Sequence, residues 1–217
     1  MPIRAIIFDY GEVLCTPDLA AHRRHLDITG LDNDTFERLY WRDRHDYDLG
    51  NLDAPAYWEK FARDDGLTFT PAQIAALIEN DVLLWVCVDE RMLAWAAALQ
   101  RAGIFTAILS NMVPEVLRYM RQEFAWLAHF TNQTYSCELR IAKPDPAIFT
   151  WTCDQLGVRP NEALFIDDRL INVQAAEHLG LHAIHFRGID QLRADLAARN
   201  LLQGLPQPGE DEVAISA

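Results

Sequence analysis

Residues 3–14 have the sequence Ile-Arg-Ala-Ile-Ile-Phe-Asp-Tyr-Gly-Glu-Val-Leu, in which an apolar run ends at Asp9. The run from Ile3 to Phe8 shows little alternation with polar residues, and turn-forming residues close it. This pattern is typical of a short strand that is buried on both faces of a parallel sheet. Since ligands of such sheets bind beyond the carboxyl ends of the strands, Asp9 is predicted to lie at a binding site.

The rest of the chain repeats this pattern, with helical stretches between the strands. Apolar runs predict further strands at 104–109 and 163–166, a weaker one at 182–186 and an additional short one at 134–137. Helical patterns cover 90–102, 115–121, 145–156 and 173–179. Strands that alternate with helices at this spacing indicate the α/β class, with a doubly wound parallel sheet and a Rossmann-like core.

One long segment interrupts the alternation. From Pro17 to Trp85 the sequence shows no convincing strand, only helical stretches separated by turn signals at Gly30, Gly50 and Gly66. This connection is too long for a structureless loop, so it predicts an inserted helical subdomain that covers the site as a cap. The predicted organisation is a core of residues 1–15 and 88–203, a cap of residues 16–87, and a loosely held, Pro- and acid-rich tail of residues 204–217.

The net charge limits the ligands that the chain can attract. Its 217 residues include 32 Asp and Glu against 19 Lys and Arg, a formal net charge of −13 at pH 7. This charge repels phosphate backbones, so general binding to nucleic acid or to an anionic membrane is not expected, whereas one small phosphorylated metabolite needs only a local positive pocket. The apolar start is too short for a membrane span and lacks the layout of a cleavable signal, and the four cysteines have no paired spacing. A cytoplasmic protein of undetermined oligomeric state is therefore expected.

Four short segments fall just past the carboxyl ends of predicted strands. They are Phe8-Asp9-Tyr10-Gly11-Glu12-Val13-Leu14, Leu109-Ser110-Asn111, Ala142-Lys143-Pro144-Asp145-Pro146 and Phe165-Ile166-Asp167-Asp168-Arg169. The predicted fold brings them together, although more than a hundred residues of sequence separate the first from the last.

In order and spacing, these segments resemble the four motifs of the haloacid dehalogenase-like (HAD) hydrolase superfamily, and the helical insertion resembles the alpha-helical cap of that superfamily. The resemblance covers nearly the whole chain. Within the superfamily, the first motif most resembles that of bacterial sugar-phosphate phosphatases and of the phosphatase domain of soluble epoxide hydrolase. The resemblance implies a magnesium-dependent phosphatase that acts on a phosphate monoester of a small metabolite, with a sugar phosphate as the favoured class.

The residues can carry out this chemistry. A carboxylate can attack phosphorus and form an aspartyl-phosphate, which divides hydrolysis into two easier steps, and Asp9 is the candidate nucleophile. Lys143 is expected to bridge Asp9 and the phosphate, because the transferred group needs positive charge. Ser110 is expected to donate its hydroxyl to the phosphate, and Asn111 its backbone N–H or its side chain. Each residue alone also suits an ordinary turn, cap or surface position, and the four motifs together favour the catalytic interpretation.

The acidic pair of the fourth motif predicts a metal site. Magnesium prefers hard oxygen ligands, so the carboxylates of Asp9 and Asp168 are candidates, and the resemblance adds the backbone carbonyl of Gly11. Asp167 is expected to support the site from outside the ligand shell, and Asn172 to do so from the first turn of the next helix. The alternative is that the two aspartates cap that helix.

The sequence departs from the phosphatase pattern at Gly11. Phosphatases of this superfamily usually have there a second Asp that acts as general acid and base, a role worth about 10²–10⁴-fold in rate. Three explanations remain open: a good leaving group that needs less help, an acid supplied by Glu12 or by the cap, or a catalytically weak phosphate-binding or regulatory module. A metal-independent 2-haloacid dehalogenase is the other enzymatic alternative, since those relatives also lack the second Asp.

The insertion is expected to set specificity, but the sequence assigns no single residue. Residues 40–48 are dense in aromatic and charged side chains, and they suit a substrate-recognising face as well as an ordinary amphipathic helix. His22, His25 and His45 are predicted to be surface residues rather than ligands.

Overall fold

A five-stranded parallel sheet forms the centre of the protein, which the computed structural model describes for residues 2–209. The strands are β1 (Ala5–Phe8), β4 (Phe105–Ser110), β5 (Asn132–Tyr135), β6 (Ala163–Asp167) and β7 (His182–His185), and their order in the sheet is β5-β4-β1-β6-β7. All four pairings between them are parallel. The predicted doubly wound α/β fold is confirmed.

Strand β1 lies at the middle of the sheet and is buried on both faces. Ile6 and Phe8 pack into the apolar cluster on one side, and Ala5 and Ile7 into the cluster on the other. All four residues are fully buried, and burial of a large apolar side chain contributes about 1.5–3 kcal/mol. This packing fixes the strand, and with it the position of Asp9 directly beyond its carboxyl end.

Within residues 2–209, six helices and two short 3₁₀ helices follow or separate these strands. The helices are α6 (Glu90–Arg101), α7 (Pro114–Glu123), α8 (Ser136–Leu139), α9 (Pro146–Leu156), α10 (Leu170–His178) and α11 (Ile189–Ala198), with 3₁₀ turns at Ala125–His129 and Pro160–Glu162. The short strand expected at 134–137 ends earlier, at Tyr135, because Ser136 begins α8. The hydroxyl of Ser136 accepts a hydrogen bond from the N–H of Met112 and donates one to the carbonyl of Asp48.

The inserted segment, residues 17–86, is helical and is called here the cap segment. Its helices are α1 (Leu19–Thr29), α2 (Asn33–Arg42), α3 (Arg44–Asp48), α4 (Ala54–Arg63) and α5 (Pro71–Leu84). Side chains that accept from the first free backbone N–H groups begin several of them, such as Asp18 for α1 and Thr70 for α5. A two-residue strand lies at each end of the segment: β2 (Cys15–Thr16) and β3 (Cys87–Val88) pair antiparallel, which the sequence analysis did not predict.

The interior of the cap segment is aromatic and contains one histidine. The ring of His25 stacks on Phe36 and Trp58, with centroids 5.2 Å and 5.4 Å away, and the residue is fully buried. The prediction of a surface position for His25 was therefore wrong. Its Nε2 lies 3.3 Å from the carbonyl of Leu77, its Nδ1 has no partner, and burial lowers its pKa to about 4.

This histidine predicts a loss of stability in mild acid. The folded-state pKa of about 4 lies below the ordinary value of 6.5, so the unfolded chain binds a proton first as the pH falls. The contribution of neutral His25 is complete above pH 6.5 and declines between pH 6.5 and pH 4, by about 1.4 kcal/mol per pH unit. When the pH is lowered from 7 to 4.5, we expect the free energy of unfolding of His25→Phe to fall by roughly 2 to 3 kcal/mol less than that of the wild type, as measured by urea unfolding. His178→Gln, at an exposed position, is the control, and equal losses in all three proteins would contradict the assignment.

The start of the C-terminal tail is held against the core. Trp95 Nε1 donates to the carbonyl of Pro206 at 2.9 Å, and Arg193 Nη2 donates to that of Pro208 at 2.7 Å. The prediction of a loosely held tail is therefore wrong for residues 204–209, while residues 210–217 lie outside the described part of the chain. None of the helices within residues 2–209 is both long and apolar enough to cross a bilayer.

Candidate active site

Neighbouring strands deliver the four motifs to one edge of the sheet. Asp9 follows β1, Ser110 ends β4, and Asp167 ends β6 with Asp168 directly after it. Lys143 reaches the same place from the loop between α8 and α9. With the exception of the buried Asp167, these side chains line a cavity of about 350 Å³ that the cap segment also lines. The structure thus brings together the residues that the sequence singled out, and their catalytic roles stay predictions.

Lys143 lies between two carboxylates. Its Nζ is 2.8 Å from Asp9 Oδ1 and 2.7 Å from Asp167 Oδ2, and all three residues are buried. Burial alone would lower the pKa of the ammonium, but Asp167 and Asp9 hold that pKa above its usual value. The lysine is therefore a fixed positive charge beside the candidate nucleophile.

Asn111 holds the backbone of Lys143. Its Nδ2 donates to the Lys143 carbonyl at 2.9 Å and its Oδ1 accepts from the Lys143 N–H at 2.8 Å. Oδ1 and one N–H of the side-chain amide are thus committed to positioning Lys143, and the second N–H of the amide and the backbone N–H remain the candidate donors to a phosphate. The buried hydroxyl of Ser110 makes one long contact, 3.3 Å to the carbonyl of Asn111, and lines the cavity.

Asp167 is enclosed by donors. Besides Lys143, it accepts from the N–H of Arg169 at 2.7 Å and from Asn172 Nδ2 at 3.0 and 3.1 Å. Helix α10 begins after Arg169 with no side-chain cap, so the alternative that the acidic pair caps this helix is not what the structure shows. Asp167 instead holds Lys143 and the loop at Arg169, and Asn172 holds Asp167; the supporting role of both at a metal site stays a prediction.

The three carboxylates of the site lie close enough together to fit a divalent cation. One oxygen of each of Asp9, Asp167 and Asp168 lies within 4.8 Å of the others, and Gly11 lines the same cavity. Three carboxylates against one lysine leave a charge of −2 in a partly buried place. Burial raises the pKa of Asp9 well above its usual range, although Lys143 opposes this, and burial together with Asp167 raises the pKa of Asp168. A hard divalent ion held by Asp9, Asp168 and the Gly11 carbonyl would balance this charge, as the chemistry of Mg²⁺ requires.

The cap segment supplies the opposite wall of the cavity, with residues that the sequence analysis did not assign. They are Trp41, Arg44, Asp48 and Trp85. Of residues 40–48, for which the sequence left two interpretations open, some line the cavity and others lie on the outer surface. Trp41, Arg44 and Asp48 line the cavity, while Arg42 and Asp43 pair with each other and with Lys60, Asp64 and Asp65 on the outside of the cap segment. The Arg44–Asp48 spacing of four on a helix is the one signal in the sequence that could have indicated a paired set.

Trp85 packs on Gly11. A Cβ added at Gly11 would lie 3.3 Å from Trp85 Cζ3, closer than ordinary van der Waals contact. Tyr10 OH donates to the backbone carbonyl of Trp85 at 2.8 Å, and Trp85 Nε1 donates to Tyr40 OH at 3.0 Å, so both the backbone and the indole of Trp85 are anchored. Trp85 would therefore crowd even the first carbon of a side chain at position 11. On the core side, His185 Nε2 contacts the Asp168 carbonyl at 2.7 Å, another partner that the sequence did not reveal.

Curated relatives match this chain over part of their own length. Bifunctional epoxide hydrolase 2 from Rattus norvegicus is 26% identical over 206 residues, which is 86% of this chain and 37% of that protein. (S)-2-haloacid dehalogenase 1 from Pseudomonas sp. strain CBS-3 is 35% identical over 95 residues, 43% of this chain and 41% of that protein. The aligned segment is thus well under half of each of these relatives.

The fold is shared with solved HAD family enzymes. The structure of one from Bacteroides thetaiotaomicron, in complex with magnesium and inorganic phosphate, superposes with a TM-score of 0.67 at 20% identity, covering 84% of this chain and 93% of that one. A family model described as haloacid dehalogenase-like hydrolase matches residues 3–180, a range that contains all four motifs and the cap segment. The chain belongs to the haloacid dehalogenase-like hydrolase family.

Proposed function

We propose that the protein is a magnesium-dependent phosphatase that hydrolyses a phosphate monoester of a small metabolite, in particular a sugar phosphate. The observation that carries the proposal is the charge of the site: three converging carboxylates and one buried lysine leave −2, which a divalent cation balances. A dehalogenase that uses no metal has no evident use for Asp168. Magnesium and phosphate in the related Bacteroides thetaiotaomicron enzyme support the same interpretation.

In the first step, Asp9 attacks the phosphorus atom. Its Oδ1 accepts from Lys143 and from the N–H of Tyr10 at 2.6 Å, so Oδ2 is the oxygen available to form the new bond. The P–O bond to the leaving group breaks with its electron pair, and an aspartyl-phosphate results. Lys143 and the hydroxyl of Ser110 stabilise the charge on the phosphoryl oxygens. Bound magnesium would add further positive charge at those oxygens. In the second step, water attacks phosphorus, the bond between phosphorus and Asp9 Oδ2 breaks with its electron pair on the carboxylate, and the proton of the water passes to solvent or to the released phosphate.

The leaving group has no carboxyl at position 11 to protonate it. The packing of Trp85 on Gly11 agrees with this absence, since a Cβ at position 11 would lie 3.3 Å from the indole, which would have to shift to accommodate a side chain. We therefore infer that the natural leaving group departs readily without full protonation, as the anomeric oxygen of a sugar does. The rate is expected to fall steeply as the pKa of the leaving alcohol rises.

The pair Gly11 and Trp85 gives a directional prediction. Gly11→Asp alone is expected to lower kcat about tenfold, because Trp85 must leave its contact with the new side chain. In a Trp85→Ala background, the same substitution is expected to raise the rate for phenyl phosphate, a poor leaving group, by about 10–100-fold, because a general acid now has room. Steady-state kinetics on the four proteins test this. A single Gly11→Asp variant that is faster than the wild type would contradict the steric explanation.

The dehalogenase remains the second candidate, because of one observation. Gly11 leaves the site without a proton-transfer carboxyl, and attack on carbon with loss of halide requires none. The identity to (S)-2-haloacid dehalogenase 1 of Pseudomonas covers 43% of this chain, and it agrees with either chemistry within the family.

One set of assays separates the candidates. We expect phosphate release from a panel of sugar phosphates that depends on Mg²⁺, stops with EDTA and is absent in Asp9→Asn. Halide release from 2-haloacids without metal would replace the proposal with a dehalogenase. Binding of phosphate esters without turnover of any would indicate a non-catalytic binding module.

A further inference from the structure

The cap wall of the cavity contains a buried charge network that is fixed by its own members. Arg44 Nε donates to Asp48 Oδ1 at 3.0 Å, and Arg44 Nη1 donates to both oxygens of Asp81, at 3.1 and 3.2 Å, and to Tyr40 OH. Tyr40 OH in turn donates to Asp81 Oδ1 at 2.5 Å. Arg44 is 6% exposed and Asp48 8%. Both side chains are thus held in one orientation before any ligand arrives.

Two polar atoms of this network are left for a ligand. The hydroxyl of Tyr57 also lies close to the Arg44 guanidinium, but Arg44 Nη2 and Asp48 Oδ2 make none of the hydrogen bonds found within residues 2–209. In that part of the chain, only His25 Nδ1 and Trp58 Nε1 are both sealed from solvent and unpartnered, so these two atoms reach open space. The open space that both nearly buried residues line is the cavity above Asp9. The network therefore offers one donor and one acceptor to this cavity.

The charge of the network argues against an anionic ligand there. Arg44 is opposed by two carboxylates, Asp48 and Asp81, so the formal sum is −1; burial raises the pKa of Asp48, and its contact with Arg44 opposes that rise. Burial opposes the charge of Arg44, yet Asp81, Tyr40 and Asp48 hold its pKa well above the usual value, and the guanidinium has no surplus positive charge to offer. A carboxylate or second phosphate at this place would face Asp48 Oδ2, and like charges in a buried site repel strongly.

We propose that Arg44 and Asp48 form a specificity pair that binds hydroxyl groups of a neutral polyol leaving group and disfavours phosphorylated acids and bisphosphates. A hydroxyl both donates and accepts, so adjacent or single hydroxyls satisfy Nη2 and Oδ2 together. The indoles of Trp41 and Trp85, which line the same wall, offer apolar faces to the C–H groups of a sugar. The cavity of about 350 Å³ suits a ligand of this size. This inference rests on the proposed phosphatase function and adds the residues that select its substrate.

The test compares matched ligand pairs that keep the anomeric phosphate and differ in one carboxylate: glucose 1-phosphate against glucuronic acid 1-phosphate, and galactose 1-phosphate against galacturonic acid 1-phosphate. Binding is measured by calorimetry with Mg²⁺ present in Asp9→Asn protein, in which the esters stay intact. We expect at least about tenfold tighter binding of the neutral member in at least one pair. Asp48→Asn is expected to reduce that preference about tenfold, since it removes the repelling charge and keeps the shape.

Asp46→Asn is the matched control, because Asp46 lies on the same helix α3 and is exposed. It makes the same change in net charge and is expected to leave the preference unchanged. Equal binding of both members in both pairs overturns the inference, even if Asp48→Asn fails to fold. So does a preference that Asp48→Asn does not alter, or one that Asp46→Asn alters equally. If the protein hydrolyses sugar phosphates but shows no preference for the neutral ligand, only this inference fails. If it shows the preference but hydrolyses no phosphate ester, the proposed phosphatase function fails and the role of Arg44 and Asp48 stands.

Discussion

Asp9→Asn is expected to lower kcat for phosphate release by at least about 10⁴-fold, as removal of a nucleophile does in enzymes that use covalent catalysis. The amide has the shape of the carboxylate but cannot attack phosphorus. Because Asp9 is buried, with its pKa raised by that burial, loss of its charge is not expected to destabilise the metal-free fold. The melting temperature without Mg²⁺ should therefore not fall below that of the wild type, while the rise on adding Mg²⁺ should shrink.

The matched control for this variant is Asp154→Asn, at an exposed position of helix α9. It is expected to keep both the rate and the magnesium response. Asp9→Asn protein that retains activity within tenfold of the wild type, after repurification to exclude contamination, would remove Asp9 from the nucleophile role. If Mg²⁺ raises the melting temperature of Asp9→Asn as much as that of the wild type, Asp9 is not a metal ligand, but its assignment as nucleophile is unaffected.

Lys143→Met is expected to affect both stability and rate. The substitution leaves Asp9 and Asp167 buried without the cation between them, and breaking a buried pair in this way costs about 3–5 kcal/mol. The loss of one positive charge at the phosphoryl oxygens is expected to lower kcat by a further 10²–10³-fold or so in the protein that does fold. Urea unfolding and phosphate release measure the two effects separately.

Lys60→Met is the control for the stability effect. Lys60 also contacts two carboxylates, Asp43 at 2.5 Å and Asp64 at 3.0 Å, but its side chain is 31% exposed. Partly exposed ion pairs are typically worth about 1 kcal/mol or less, so this variant should remain nearly as stable as the wild type. In addition, Asp167→Asn should recover part of the stability of Lys143→Met, because it removes one of the two uncompensated charges. Equal destabilisation by both lysine substitutions would contradict the buried triad.

The sequence was sufficient for the residues whose position follows from strand ends. Asp9, Ser110 and Asp168 each stand at or beyond the end of a strand that is recognisable by its apolar run, and parallel strands end at one edge. The role of the Asn111 side chain could not be read in the same way. It depends on a loop more than thirty residues away, whose backbone it meets only in the folded chain.

The cap segment shows where sequence reasoning was weakest. Trp41, Arg44 and Trp85 come from three different places in it, and only tertiary packing brings them to one wall. His25 was misplaced although a signal existed, because Ala21, His25 and Thr29 recur every four residues and form the buried face of α1. The strands β2 and β3 are two residues long, too short to show any periodicity.

The β2–β3 pair has an evolutionary consequence. The chain leaves the core at Thr16 and returns at Cys87, and these two residues are direct partners in the pairing, so the ends of the insertion lie about one strand spacing, ~5 Å, apart. A segment whose two ends lie side by side can be replaced by another one without moving the core, because a short hairpin or a different helical bundle can join the same two residues. The lysine and its two carboxylates belong entirely to the core. Recombination at this junction could therefore replace the wall that faces the leaving group and leave the nucleophile and its cation where they are.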